Sequence, residues 1–220
     1  MTECRVKECR VKDRKTAILE AAARVIAHHG VRGLRVEELA AEAGVSKALV
    51  YYHFGDRAGL LRHTLRFIGD RAERYTGGGP PGPPGTPGPP RAPKDAALEL
   101  ERRLLLELRD TPEVRENSTA WGELRASAVF EPELREELAR AGRQWVREIA
   151  DLLGRIDPSP PDAALVGAAE RLTVLLEGLS TRWLIGVLPV GHASELMRGA
   201  IAAEVEALRL REPRQACAVA

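Results

Sequence analysis

The stretch VEELAAEAGVSKALVYYHF, residues 36–54, concentrates the side chains best suited to chemistry: a lysine, two tyrosines and a histidine follow closely on a glycine-containing turn. A helix, such a turn and a short second helix bearing polar and aromatic residues make the helix-turn-helix pattern. Gly44 stands where the turn needs a residue that tolerates positive φ, and Ala40 is small where the two helices must cross closely. A short second helix can put its N-terminal end into the major groove of DNA while flanking groups hold the phosphates. Ser46 suits its N-cap, and Val50 and Phe54 supply its inner face.

Other chemistry is sparse. Residues 94–220 hold no nucleophile elbow, no phosphate-binding loop and a single histidine, His192, which argues against an enzyme. Cys4, Cys9 and Cys217 have no metal-ligand spacing with histidines nearby, so they read as free thiols. The first two belong to a tandem duplication of ECRVK at 3–7 and 8–12. His28 and His29 are adjacent, so they point apart on a helix and suit its solvated C-terminal end rather than a metal. No cofactor and no metal is expected.

The elements that must position the turn are helical. In RKTAILEAAARVIAHHG, Ile18, Ala22, Val25 and Ile26 share a face and Gly30 sits where a C-terminal cap belongs. A fourth helix starts after Asp56 and runs through Leu60, Leu61, Leu65 and Ile68 towards Tyr75. Further helices are predicted near 94–109, 114–128, 131–154, 162–187 and 193–210, with a proline in each break between them. No segment alternates with period two. The expected fold is therefore all-α, with about nine helices.

The formal net charge of +1 hides an asymmetry, because residues 1–75 carry 15 Lys or Arg against 10 Asp or Glu, and the remainder 18 against 22. A polyanion is thus expected to meet the first part. The longest apolar run, LTVLLEGLSTRWLIGVL, is interrupted by Glu177 and Arg182 and reads as a buried amphipathic helix rather than a membrane span. The basic N-terminus lacks the apolar core of a secretory signal, and a cytoplasmic location is expected.

GGGPPGPPGTPGPPRAP, residues 77–93, runs as four Gly-X-Y triplets from Gly79 to Pro90. Two readings stay open: an interaction or structural protein acting through this tract, and an extended or disordered loop at a domain boundary. Four triplets are few for a stable triple helix, and the prolines lack the flanking basic anchors of a groove-binding ligand. The expected organisation is a basic arm at 1–13, predicted disordered, a helix-turn-helix domain at 14–60 and a connecting fourth helix at 61–76. The loop at 77–93, a ligand-binding and dimerisation domain at 94–211 and a tail at 212–220 follow.

Residues 14–65 resemble the DNA-binding domain of the TetR family of transcriptional repressors, through ILEAAARVIAHHGVRGLRVEEL and AGVSKALVYYHFGDRAGLL. The resemblance implies double-stranded operator DNA as partner, with Lys47, Ala48 and Leu49 near base edges and Tyr51, Tyr52 and His53 on sugar-phosphate. Arg57 would add charge beside a helix N-terminus. Lys47 can donate to guanine, whereas Ala48 and Leu49 offer only apolar contact to thymine methyls. Phe54 reads as core; Tyr51 reads equally as core or phosphate contact. Two departures affect affinity: Arg35 and Val36 stand where relatives commonly have Thr or Ser, and Gly55 where they often have Lys.

AAERLTVLLEGLSTRWLIGVL and the last helix are similar to the C-terminal domain of the choline-repressor-like branch, implying a domain that binds an unidentified small-molecule effector and dimerises. One short recognition helix per chain reads little sequence, and a two-fold dimer places two on a palindrome. The helices at 162–187 and 193–210 are the expected homodimer interface, a four-helix bundle across the axis, with Gly178 and Gly186 for close approach. The alternative is that this apolar surface is intramolecular core. Trp121, Trp145 and Trp183, with Arg125 one turn after Trp121 and Glu177 in the penultimate helix, are the candidate effector pocket. Plain core is the other reading of each tryptophan. The expected action is that of a repressor released by its ligand, with the fourth helix as lever.

Overall fold

A computed structural model describes residues 2–76 and 93–210; the Gly/Pro tract up to residue 92 and the C-terminal tail lie outside them. The described residues form helices α1 (Thr2–His29), α2 (Val36–Glu42), α3 (Lys47–Phe54), α4 (Arg57–Thr76) and α5 (Pro93–Leu106). They continue with α6 (Pro112–Ser127), α7 (Pro132–Ile156), α8 (Asp162–Leu184) and α9 (Val190–Arg209), and one 3-10 turn, Val31–Gly33, follows α1. The all-α expectation holds, because each apolar face repeats with helical period and each break carries a helix stop. No described helix is long and apolar enough to cross a membrane.

α1 differs from expectation in running back through the segment read as a basic arm. That segment has neither glycine nor proline, and its Arg, Lys and Glu residues are good helix formers.

The helices fall into two compact units, Met1–Glu73 with Thr111–Ala141 and Arg74–Asp110 with Gly142–Ala220. This division cuts the chain differently from the sequence boundaries. α6 and the start of α7 join the helix-turn-helix helices because their apolar faces complete one core. Ala120, Leu124, Ala128 and Leu134 pack in the same cluster as Ile18, Ile26, Leu39, Val50, Phe54, Leu61 and Ile68. Polar contacts fasten the pairing: Asn117 Nδ2 donates to the Ile68 carbonyl at 3.3 Å, and Arg71 meets Glu116 at 2.7 Å. Ala21, Ala22 and Ala23 are fully buried on α1, where small side chains let neighbouring helices approach.

In the second unit, Ala96, Leu100 and Leu104 of α5 are buried, as are Ile149, Leu152 and Leu153 of α7. Leu172, Leu176 and Leu179 of α8 and Met197, Ile201 and Leu208 of α9 are buried too. Ion pairs tie these helices to one another: Arg103 with Glu148 at 2.9 Å, Arg198 with Glu101 at 2.9 Å and Arg171 with Glu204 at 2.6 Å.

Candidate nucleic-acid interface

α2 opens without the side-chain cap that a Ser or Thr would supply: Arg35 occupies the N-cap position and makes no capping hydrogen bond. Glu37 and Glu38 in the first turn offset this by placing negative charge at the positive end of the helix. α2 then ends in a tight glycine turn. Gly44 has φ of 65°, Val45 N donates to the Ala40 carbonyl at 2.9 Å and Gly44 N to that of Ala41 at 3.2 Å. These are the two hydrogen bonds of a Schellman motif, which closes a helix and turns the chain sharply. Ser46 follows in extended conformation, and its Oγ accepts from Leu49 N at 3.2 Å, capping α3 as the sequence predicts.

α3 has two unlike faces. Val50 and Phe54 are buried against the core, with the Phe54 ring 5.4 Å from the His63 ring and Lys15 Nζ 5.8 Å above it. Lys47, Ala48, Tyr51 and Tyr52 are exposed, Tyr52 at 80%, while Leu49 and His53 are half-buried. The open question over Tyr51 closes towards the surface: the residue is 42% exposed and Lys47 Nζ lies 5.9 Å above its ring. His53 Nε2 is shielded and has no hydrogen-bond partner among the described residues. Phe54 is core, as expected.

Two cations expected at DNA have partners inside the protein, which sequence reasoning missed. Lys47 Nζ donates to Glu37 Oε1, joining the first residue of α3 to the first turn of α2. The contact holds the Glu37 acid below and the Lys47 ammonium above their ordinary ranges, each mainly through that hydrogen bond, so both stay charged. Arg57 Nη1 meets both Glu131 oxygens, at 3.2 and 3.3 Å, and its Nη2 donates to the Val31 carbonyl at 2.7 Å. The guanidinium expected on phosphate is thus directed into its own unit. Val31 N also donates to Glu123 of α6 at 3.4 Å, so the turn after α1 is held from both sides.

At the start of α4, Asp56 Oδ1 accepts from Gly59 N at 2.6 Å and caps the helix. Gly59 is needed for close approach, since a Cβ there would stand 2.1 Å from the Phe54 carbonyl oxygen. α4 therefore sits directly on the end of α3.

The expected effector residues divide between the units. Trp121 and Arg125 lie one turn apart on α6, half-buried, with Trp121 against the first core. In the second unit Trp145 carries the Arg103 guanidinium 5.8 Å from its ring, and Glu177 is half-buried on α8. Trp183 is only 4% exposed. Gly178 lines a groove on α8 and α9 together with Val174, Leu175, Leu188 and Leu196, bordered by Arg171 and Arg182. Gly186 has another place, in the turn that ends α8, where its N donates to the Trp183 carbonyl at 2.9 Å.

A capped recognition helix with a polar, aromatic outer face, set by a tight turn on a helical core, defines a helix-turn-helix DNA-binding protein. Comparison with known proteins narrows this. Residues 18–64 match the model of bacterial regulatory proteins of the tetR family, and residues 96–206 that of the C-terminal domain of BetI-type transcriptional repressors. The chain belongs to the TetR family of transcriptional regulators, with a C-terminal domain of the BetI type. It is 29% identical over 181 residues, 82% of each chain, to the transcriptional regulator BetI of Agrobacterium fabrum. Among solved structures it resembles a TetR-family regulator from Rhodococcus, with 42% identity, a TM-score of 0.75 and coverage of 88% of this chain and 99% of that one. A regulator from Saccharomonospora viridis, solved in complex with choline, shares the fold at a TM-score of 0.67 and 22% identity, over 87% of this chain and 96% of that one.

Proposed function

We propose that the protein represses transcription as a homodimer on a palindromic operator and leaves it when a small molecule binds. The observation that carries this reading is the outer face of α3: Lys47, Ala48, Tyr51 and Tyr52 are exposed while Val50 and Phe54 lock the other face. Lys47, Ala48 and Leu49, at the N-terminal end, meet base edges; Tyr51, Tyr52 and His53 reach sugar and phosphate. Arg57 acts as a strut beneath them.

An eight-residue helix reads few base pairs, so two copies are needed. The exposed Val174 and Leu196, beside the open groove at Gly178, form the surface on which a second chain packs, giving a four-helix bundle from two copies of α8 and α9. The effector site lies in the second unit and uses Trp145, Glu177 and Trp183, and its occupation favours a dimer whose recognition helices no longer match the operator spacing. A coupling of about 1–3 kcal/mol, roughly 5- to 150-fold in affinity, is sufficient.

Binding of the full chain to duplexes from its own promoter region and to random duplexes, at about 150 mM salt, tests the reading. Preference for one promoter segment, protected as two half-sites, is expected; equal binding to both DNAs removes it. Light scattering should return twice the chain mass, and Leu196→Arg should return a monomer.

A further inference from the structure

α3 carries no carboxylate of its own, yet its one lysine is held by an acid from α2 across the turn. We propose that Glu37 is a specificity-determining residue which, with Lys47, reads one G·C base pair in each half-site as a preformed ion pair. The proposal rests on the reading that the N-terminal end of α3 meets base edges.

In the major groove a G·C pair presents the O6 and N7 acceptors of guanine beside the N4 donor of cytosine. O6 and N4 are hydrogen-bonded to each other within the base pair. Lys47 Nζ and Glu37 Oε1 are likewise hydrogen-bonded to each other. The ammonium has three N–H donors and the carboxylate several lone pairs, so each can bind the base pair without releasing the other. Lys47 donates to guanine O6 or N7, and Glu37 accepts from cytosine N4. An A·T pair offers adenine N6 as donor and thymine O4 as acceptor, with a methyl group beside O4 where the G·C edge has none. The charge pair has no equally good fit there.

Neither side chain is needed in the core, since 49% of Lys47 and 66% of Glu37 remain exposed. Tyr51 supports the ammonium from below, with Nζ 5.9 Å from the ring centroid. A bare lysine at this position would be drawn to any phosphate regardless of sequence, and each such contact adds about 0.9 to the salt dependence of binding. The Glu37 carboxylate cancels that attraction at non-operator DNA. It thereby converts a general phosphate cation into a base reader.

The test starts from duplexes selected out of a random pool by the full wild-type chain. The selected consensus duplex, its single G·C to A·T replacements and a shuffled duplex of equal composition are then titrated with wild type, Glu37→Gln, Lys47→Gln and Glu38→Gln. Wild type should lose about 5- to 150-fold at one G·C position in each half-site. Glu37→Gln and Lys47→Gln should lose discrimination at that position and keep it elsewhere. Glu37→Gln should also bind the shuffled duplex more tightly, with a steeper salt dependence, whereas Glu38→Gln, a neighbouring acid on the same helix, should keep full discrimination. Unchanged discrimination in Glu37→Gln, or equal loss at every position, overturns the proposal. Failure of the wild-type selection to return any consensus instead overturns the underlying base-reading assignment, so the two failures are distinct.

Discussion

Arg57 at the start of α4 and Glu131 in the turn before α7 face each other as a two-oxygen ion pair, with Nη1 at 3.2 and 3.3 Å, while Nη2 holds the Val31 carbonyl at 2.7 Å. One guanidinium thus joins three segments: the turn after α1, the head of α4 and the turn before α7. Arg57→Ala should lower unfolding free energy by about 1 kcal/mol, the usual scale for a partly exposed charged hydrogen-bond set. Urea unfolding measures this. The slope of log affinity against log salt should stay unchanged, whereas removal of a true phosphate contact would reduce it by about 0.9.

Ser46 and Gly59 hold the two ends of α3. Ser46→Ala removes the acceptor for Leu49 N and should cost about 1 kcal/mol. Gly59→Ala places a methyl group 2.1 Å from the Phe54 carbonyl oxygen, so α4 must shift off α3. Overpacking of this kind costs about 1–3 kcal/mol. Thermal melting of both variants checks the values, and a Gly59→Ala protein as stable as wild type would show that α4 is free to move.

Tyr52 offers the cleanest separation of binding from folding. The residue is 80% exposed, so Tyr52→Phe should leave stability within about 0.5 kcal/mol. Loss of one hydrogen bond to phosphate should weaken operator binding by about 1 kcal/mol, roughly five-fold. Equal affinity for the two proteins would take the hydroxyl out of the interface.

His63 gives the first unit a pH dependence. Burial lowers its basicity first, and Lys15, Arg66 and Arg62 add to this, against an opposing pull from Glu137. A histidine with depressed folded-state affinity for protons is neutral in both states above about pH 6.5, where its contribution is fully present. Below that value the unfolded chain takes up the proton first, and stability falls with pH. His63→Gln should therefore flatten the melting temperature between about pH 6.5 and 5 relative to wild type. A parallel pair of curves would remove His63 as the cause.

Much of the DNA-binding architecture was legible because its signals act over a few residues. The cap at Ser46, the turn at Gly44 and the inward pair Val50 and Phe54 each depend on immediate neighbours, and the structure has all of them as the sequence predicts. The exposure of Tyr51 was not legible, since an aromatic residue at that register fits either a core or a surface. The partners of the cations were not legible either. A lysine or arginine near a DNA-facing helix carries no mark in sequence of the carboxylate that folding brings to it.

Apolar period, caps and proline breaks mark the chain as helical and put a helix-turn-helix in residues 36–54. Packing adds that α6 joins the N-terminal helices, that Lys47 pairs with Glu37 ten residues back, and that Arg57 pairs with Glu131 74 residues on. The two kinds of signal differ in range. Helix periodicity and capping are set within one or two turns of backbone, whereas the partner of a long charged side chain is set by which helices the shared apolar core has brought together.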